Sequence, residues 1–296
     1  FIGIEAGGTT FKIGIAKESE PEQLIACIDI STKTPEKTIQ ECINTIKSYQ
    51  KRYGEIKSMG IASFGPLELS KQSEQYGYIT TTPKSAWRNA PLLPSIKKAF
   101  PKIPIGFETD VNAPALSEYL FHNLKEEKKI SSCAYITVGT GVGVGLVING
   151  KPVHGMVHPE GGHIYVPIHP KDKDYPGTCP YHKQCVEGMV NAKSIQERTS
   201  EDGATLPDDH DVWDQVAHYL AHLSLTILLM TSAEKIVFGG GVLKRTCLLP
   251  LIRQKFKVLL NGYVKMKVDL DNYVCLSQFR EHSGLIGAIF LAKNQE

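Results

Sequence analysis

The densest run of metal-binding chemistry in the chain is Cys179-Pro-Tyr-His182-Lys-Gln-Cys185, with His163 a loop's length upstream. Thiolates and imidazole at C-x-x-H-x-x-C, joined by a fourth donor, suit a tetrahedral zinc ion. Four protein donors leave no position for water, so the expected role is structural rather than Lewis-acid. A free cysteine pair beside an incidental histidine is the competing reading. The intervening loop 164–178, with His169-Pro170-Lys-Asp-Lys-Asp-Tyr-Pro-Gly, is polar and has no core of its own. A metal closing that loop would offset its ordering entropy. Zinc-ribbon nucleic-acid modules use similar donors, but a single site in a chain of net charge +2 without a basic stripe argues against one. Glu160 stands just before His163 and Glu187 just after Cys185, so one metal would hold two carboxylates on one platform. A carboxylate accepts hydrogen bonds from two adjacent hydroxyls, the pattern a sugar offers. Either glutamate taken singly is more simply a solvated surface residue.

A second kind of chemistry sits in glycine turns. The chain opens Phe1-Ile-Gly-Ile-Glu5-Ala-Gly7-Gly8-Thr9-Thr10-Phe-Lys12-Ile-Gly-Ile-Ala16. Its apolar residues alternate on both sides of the turn, the period expected of strands with one buried face. Glycines there permit positive φ and leave amide N–H groups unshielded, a natural cradle for phosphate oxygens. Glu5 at the lip could hold a cation through water. An ordinary hairpin turn is the alternative. The device recurs as strand 134–138, turn Gly139-Thr140-Gly141 and strand 142–148, which suggests a duplicated fold whose halves face each other across a cleft. A third turn, Gly239-Gly240-Gly241, follows the strand 235–238. There is no Walker A loop and no G-x-G-x-x-G fingerprint, so nicotinamide chemistry has little support. Three turns after three strands suit a nucleotide gripped from two sides.

The elements that must position these residues alternate between strand and helix periods, which makes the chain α/β. Thr34 and Pro35 fit the cap and first turn of a helix whose face is Ile39, Ile43 and Ile46 and which ends near Gly54. A strand over 58–63 runs into Phe64-Gly65-Pro66. A helix is expected over 94–100 and a strand over 103–107. That strand stops at Glu108-Thr109-Asp110-Val111-Asn112, ahead of a helix over 113–120. Ligands of open α/β sheets sit at such strand ends. Helices are further expected over 212–231 and 244–260, and Ser283 is expected to cap a last, apolar helix over 284–293 that returns to the first lobe. The lobes then span 1–109, joined by 283–296, and a larger 110–282.

The 296 residues suffice for two such lobes, and 42% hydrophobic with 22% charged content is that of a soluble chain. Net charge +2 gives no reason to expect a nucleic-acid or membrane partner, and no apolar run approaches the roughly 20 residues of a membrane span. The opening residues read as a core strand, so no leader is expected. Seven scattered cysteines suggest no disulfide framework and a cytoplasmic setting. Most of Cys27, Cys42, Cys133, Cys247 and Cys275 are expected as buried small hydrophobes.

Together, Glu5-Ala-Gly-Gly-Thr9, Ala62-Ser-Phe-Gly65-Pro66, Trp87-Arg-Asn89, Asp110-Val-Asn112, the stretch from Thr137 to Gly145, Glu160-x-Gly-His163, the Cys-x-x-His-x-x-Cys segment and Gly239-Gly-Gly-Val242 resemble the ROK family of sugar kinases, especially its bacterial fructokinase branch. The order and spacing of the set are more specific than any one motif. The resemblance implies a two-lobed, actin-like (ribonuclease H-like) ATPase fold with ATP, magnesium and a hexose in the cleft, and a homodimer. It implies that Glu5, Gly7, Gly8, Thr9, Thr10 and Gly139, Thr140, Gly141 hold phosphates, while Gly239, Gly240, Gly241 and Val242 line the adenosine pocket. It makes Asp110 the general base, with Gly65, Asn89, Asn112, Glu160, His163 and Glu187 around the sugar. A carboxylate at a strand's end can take the proton of a poorly nucleophilic hydroxyl as the γ-phosphoryl group transfers in line. A helix N-cap is the competing role for Asp110. One departure stands out. Relatives of this branch usually carry Lys after Gly-Gly-Thr, where this chain has Thr10, and Lys12, on the same strand face, is the expected substitute. Fructose is the expected sugar, with glucose, mannose and N-acetylmannosamine as alternatives. Family members that regulate transcription carry an N-terminal helix-turn-helix, whereas this chain opens at the phosphate loop.

Overall fold

In the computed structural model, which describes residues 1–82 and 84–295, the opening alternation forms strands β1 (Ile2–Ala6) and β2 (Thr10–Ala16), paired antiparallel with Ile4 opposite Ile13. The isoleucine face of this hairpin is buried against helix α1 (Pro35–Tyr53), which follows strand β3 (Leu24–Ser31) and presents Ile39, Ile43 and Ile46 as expected. Thr34 is the N-cap residue but makes no side-chain capping bond; the Thr38 hydroxyl accepts from Lys33 N–H at 2.9 Å instead. Strand β4 (Met59–Ser63), helix α2 (Leu92–Ala99), strand β5 (Ile105–Thr109) and helix α3 (Asn112–Lys125) complete a sheet of order β3-β2-β1-β4-β5. β4 and β5 run parallel to β1.

The plan then repeats. Strands β6 (Ser132–Val138), β7 (Val142–Ile148) and the two-residue β8 (Lys151–Pro152) precede helices α4 (Val186–Val190), α5 (Ala192–Thr199) and α6 (Val212–Thr231). Strand β9 (Ile236–Gly239), helices α7 (Leu248–Leu260) and α8 (Leu270–Tyr273), strand β10 (Val274–Leu276) and helix α9 (Ser283–Lys293) follow. The second sheet has the order β10-β9-β6-β7-β8, which read backwards is the order of the first. The duplication suggested by the two glycine turns is thus a repeat of strand topology. Apolar residues of α6, among them Trp213, Val216, Leu220 and Leu223, pack with Ile252 and Phe256 of α7 in the second core. Among the described residues no helix is long and apolar enough to cross a membrane.

Several boundaries differ from expectation. β5 begins after Pro104, whose carbonyl accepts from Met59 N–H but which has no N–H to donate, and it runs on through Glu108 and Thr109 because these pair with Ala62 and Ser63 of β4. Extended backbone at Arg245 separates a short 3-10 turn at 242–244 from α7, so the single helix expected over 244–260 is two pieces. Ser283 is the first residue of α9, and His282 holds the cap position. Of the five cysteines expected as mostly buried, only Cys42 and Cys133 are; Cys247 and Cys275 are half-buried and Cys27 is exposed, because β3 is an edge strand.

By its internal contacts the chain divides into Phe1–Lys125 with Lys151–His158 and His282 onward, and Glu126–Gly150 with Pro159–Glu281. The first unit does not close at residue 109, because α3 packs along α9 and stays with it. On the face of the first sheet opposite the isoleucines, Gly14, Gly3, Gly60 and Gly106 stand in register across β2, β1, β4 and β5. This row lets α9 approach at backbone distance. A Cβ at Gly3 would lie 2.8 Å from Leu285 O, one at Gly106 2.9 Å from Leu291 O, and one at Gly60 would run into Ala288 O. Ser58 Oγ donates to Ala292 O at 2.8 Å and fixes the helix lengthwise. Overpacking against backbone has no flexible side chain to absorb it, so Gly60→Ala is expected to lower unfolding stability by about 2–3 kcal/mol. Urea denaturation checks this; an unchanged midpoint would mean that α9 shifts freely.

Candidate functional site

β1, β4 and β5 are adjacent and parallel, with Ala6, Ser63 and Thr109 in one register row. Whatever follows these residues lines a single sheet edge: Gly7 and Gly8, then Phe64 and Gly65, then Asp110. The row is stitched by Phe64 N–H donating to Ala6 O and Asp110 N–H donating to Ser63 O, both at 2.9 Å. In the first turn Gly7 N–H donates to Thr10 O at 3.0 Å, and the Thr32 hydroxyl donates to Gly7 O at 2.8 Å. Among the described residues the amides of Gly8 and Thr9 donate to no protein acceptor. Neither Gly7 nor Gly8 has the positive φ expected from the sequence. Crowding requires them instead, since a Cβ on Gly7 would lie 2.6 Å from Thr10 O and one on Gly8 2.7 Å from Lys84 Cε.

Glu5 and Lys12 face each other across β1 and β2, with Lys12 Nζ 3.8 Å from Glu5 Oε2. Burial pushes the Glu5 carboxyl above the usual range, while Lys12 and His282 pull it back. Its Oε2 is buried without a hydrogen-bond partner among the described residues, as a carboxylate awaiting a hydrated cation would be.

Asp110 is half-buried at the end of β5. The residues around it form a network the sequence did not disclose. Glu108 is buried, and its Oε1 accepts from Thr109 N–H at 2.8 Å and from Asn112 Nδ2 at 3.1 Å. Its Oε2 receives His154 Nε2 at 2.6 Å. Asn112, an expected sugar contact, is 0% exposed, and its amide is also directed at Val153 O, 3.4 Å away. Thr109 Oγ1 accepts from Asn112 N–H at 2.9 Å at the start of α3. Gly65 lies beside His158, whose Nε2 accepts from Leu67 N–H at 3.4 Å. Asn89 is exposed with φ 57°.

In the second unit the Gly139 N–H donates to Gly141 O at 2.9 Å, and the amides of Thr140 and Gly141 have no protein acceptor among the described residues. Glu187, the first-turn carboxylate of α4, accepts from Val142 N–H at 3.0 Å through Oε2. A Cβ on Gly141 would meet that same oxygen at 2.7 Å. After β9, Gly240 takes φ +89°, the one residue of its turn that needs glycine for conformation, and Val242 begins the short 3-10 turn.

His163, Cys179, His182 and Cys185 converge, their ligand atoms all within 4.8 Å of one another. His163 Nδ1 lies 3.7 Å from Cys179 Sγ and 3.6 Å from Cys185 Sγ, and His182 Nδ1 3.8 Å from Cys179 Sγ. A tetrahedral ion held at about 2.0 Å by nitrogen and about 2.3 Å by sulfur sets such donors about 3.6 Å apart. The donor set fits zinc. Nδ1 of His163 faces the sulfurs while its Nε2 lies 4.0 Å from Glu160 Oε2, and Glu187 Oε1 lies 4.0 Å from Nδ1. Both carboxylates are therefore tied to this cluster, although Glu160 is largely exposed. The loop 164–178 is less bare than its composition suggests. Buried Asp172 accepts from both the Arg198 guanidinium at 3.0 Å and the Tyr219 hydroxyl at 2.8 Å.

The two sheets of like strand order carry the actin-like fold of sugar kinases, and the relatives of the chain make it an ATP-dependent sugar kinase. The chain belongs to the ROK family, whose profile matches residues 1–295. It is 37% identical to the fructokinase of Streptococcus mutans, covering 98% of this chain and 96% of that protein. It is 36% identical to the fructokinase of Zymomonas mobilis, covering 98% and 95%. Among solved structures it resembles the ROK hexokinase from Thermus thermophilus (TM-score 0.78, 20% identity, 98% and 97% covered). It also resembles a ROK glucokinase from Streptomyces griseus solved with glucose and AMPPNP (TM-score 0.74, 21% identity, 99% of both chains).

The hydrogen bond to Glu108 raises the His154 pKa, with half-burial opposing it. A raised native pKa contributes stability that is full below the ordinary histidine value of about 6.5 and is lost as pH rises through the native value. The urea midpoint of the native protein is therefore expected to fall more between pH 6 and pH 9 than that of His154→Gln. Equal falls would show that the pair contributes nothing to stability.

Proposed function

We propose that the protein transfers the γ-phosphoryl group of ATP to a hexose hydroxyl, with D-fructose as the substrate and fructose 6-phosphate as the product. The observation that carries this reading is the single edge on which three parallel strands end, with the amide-rich turn after β1, Gly65 after β4 and Asp110 after β5. A carboxylate and a set of unclaimed N–H groups on one edge are what in-line phosphoryl transfer requires. Asp110 takes the hydroxyl proton as the sugar oxygen bonds to the γ-phosphorus and the bond to ADP breaks. The amides of Gly8, Thr9, Thr140 and Gly141 receive phosphate oxygens, and the turn from Gly239 to Val242 receives adenosine. Magnesium, when bound with the nucleotide, neutralises charge developing on the phosphates. Glu5, whose buried Oε2 accepts no hydrogen bond among the described residues, is the residue suited to hold it through water. Asn89, Glu160 and His163 Nε2 are directed to the sugar, whereas Asn112 and Glu187 act mainly by fixing Glu108 and the second turn. Fructose is preferred over glucose, mannose or N-acetylmannosamine in this reading because fructokinases of three bacteria are 35–37% identical over 98% of the chain. The cytoplasmic location follows from the scattered, unbridged cysteines and the homodimer from the family resemblance.

ADP release coupled to a reporter reaction, measured across fructose, mannose, glucose and N-acetylmannosamine, is expected to show the highest kcat/KM with fructose. Asp110→Asn should keep sugar affinity while turnover falls by roughly 10²–10⁴, the scale of a proton-transfer group. No sugar-stimulated release from metal-replete protein would leave only a binding role, and near-normal turnover of the variant would remove Asp110 from the chemistry.

Zinc belongs to the same proposal as a structural ion that ties loop 164–178, Glu160 and Glu187 to the second unit. Native mass spectrometry is expected to find one zinc per chain, lost in Cys179→Ser/Cys185→Ser. Finding none in the native protein would overturn the assignment.

A further inference from the structure

We propose that Lys84, which no motif singles out, supplies the cation of the first phosphate turn and contacts the nucleotide's phosphate chain. The inference rests on the reading of that turn as a phosphate cradle. Lysine 12, the expected source of the charge, is directed across the hairpin, where Glu5 Oε2 lies 3.8 Å from its ammonium. Position 10 is a threonine. Lys84 instead lies over the turn itself. A Cβ built on Gly8 would fall 2.7 Å from Lys84 Cε, 3.7 Å from Cδ and 3.8 Å from Nζ, so the glycine leaves room for the lysine stem. Its ammonium is exposed, and no carboxylate among the described residues holds it in an ion pair. It stands beside the amides of Gly8 and Thr9, which have no acceptor among the described residues. Two N–H donors and an unneutralised ammonium within one side chain's width make an anion site of the kind that binds a polyphosphate.

The base of this lysine is fixed. Lys84 O accepts from Trp87 N–H at 2.8 Å, and Lys84 N–H donates to the Thr82 hydroxyl at 3.4 Å. Trp87 is 2% exposed and packs on Phe11, the second residue of β2, at 5.2 Å between ring centroids, and on Phe64 at 5.6 Å. Its indole N–H donates to Lys33 O at 2.9 Å. The aromatic cluster behind the turn thus fixes the segment that carries the lysine in front of it. A long flexible stem on a rigid base places a point charge within a small volume while leaving it free to follow the phosphates.

Isothermal titration of the zinc-replete protein with AMPPNP and, separately, with adenosine tests the inference without requiring turnover. Lys84→Met is expected to weaken AMPPNP binding at least tenfold while leaving adenosine binding within twofold, and Lys84→Arg should retain AMPPNP affinity within about threefold. Lys12→Met should weaken AMPPNP less than Lys84→Met does. Equal losses for AMPPNP and adenosine would mean that Lys84 only supports the fold around the turn. Unchanged AMPPNP binding in Lys84→Met, or a larger loss in Lys12→Met, would overturn the assignment as well. Because nucleotide affinity is read directly, a native protein that binds AMPPNP but phosphorylates no sugar would count against the proposed reaction and not against Lys84.

Discussion

Close contact between helix α9 and the first sheet sets the geometry of everything at that sheet's carboxyl edge. Four glycines in register, Gly14, Gly3, Gly60 and Gly106, remove the side chains that would otherwise hold a helix about 10 Å from the strands. The helix answers with small residues of its own. Gly287 lies against the Ala113 backbone and Gly284 against the Glu5 carboxylate. The same contact that seats the helix therefore desolvates Glu5 at the lip of the phosphate turn, and burial is the main cause of its raised pKa. Packing and site chemistry are here one constraint seen from two sides of a strand.

The second unit reaches a comparable result by other means. Its glycine turn is braced by a carboxylate, Glu187 accepting from Val142 N–H, and that glutamate lies in the first turn of a helix whose N-cap is Cys185, one of the four converging donors. Negative charge in the first turn of a helix is favourable, and a carboxylate that already holds one amide is oriented at little further entropic cost. The four donors and the turn are thus two short steps apart, through Cys185 and Glu187. Asp172, Arg198 and Tyr219 close the far side of the same loop with a buried ion pair, so its ordering does not rest on the cysteine and histidine cluster alone.

Local patterns were readable in the sequence; long-range register was not. Alternating isoleucines around Gly7 and Gly8 gave both strands of the opening hairpin, and the 3.6-residue period gave α6 with its true ends. The C-x-x-H-x-x-C spacing identified donors that do converge. The glycine row is invisible because its members lie far apart in the chain and meet only through strand pairing. The Glu108–His154 pair is likewise a contact across 46 residues. Lys84 carries no periodic or motif signature, and Gly8 answers to that neighbour's bulk rather than to a positive φ. The strand expected over 103–107 stops short of Glu108 and Thr109, whose polar side chains resemble a loop's, although a buried carboxylate with three donors is at home in a strand.

The position of α9 in the sequence also bears on synthesis. On a ribosome adding about 5–20 residues per second, the strands of the first sheet emerge on the order of ten seconds before the residues that fill their glycine trough. During that interval the nascent chain presents a shallow glycine-lined furrow with no native occupant, while the second unit can already assemble from its own strands. The glycines that permit a tight final fit thus also create a waiting period, in which a holdase or a premature release of the chain would decide between folding and aggregation.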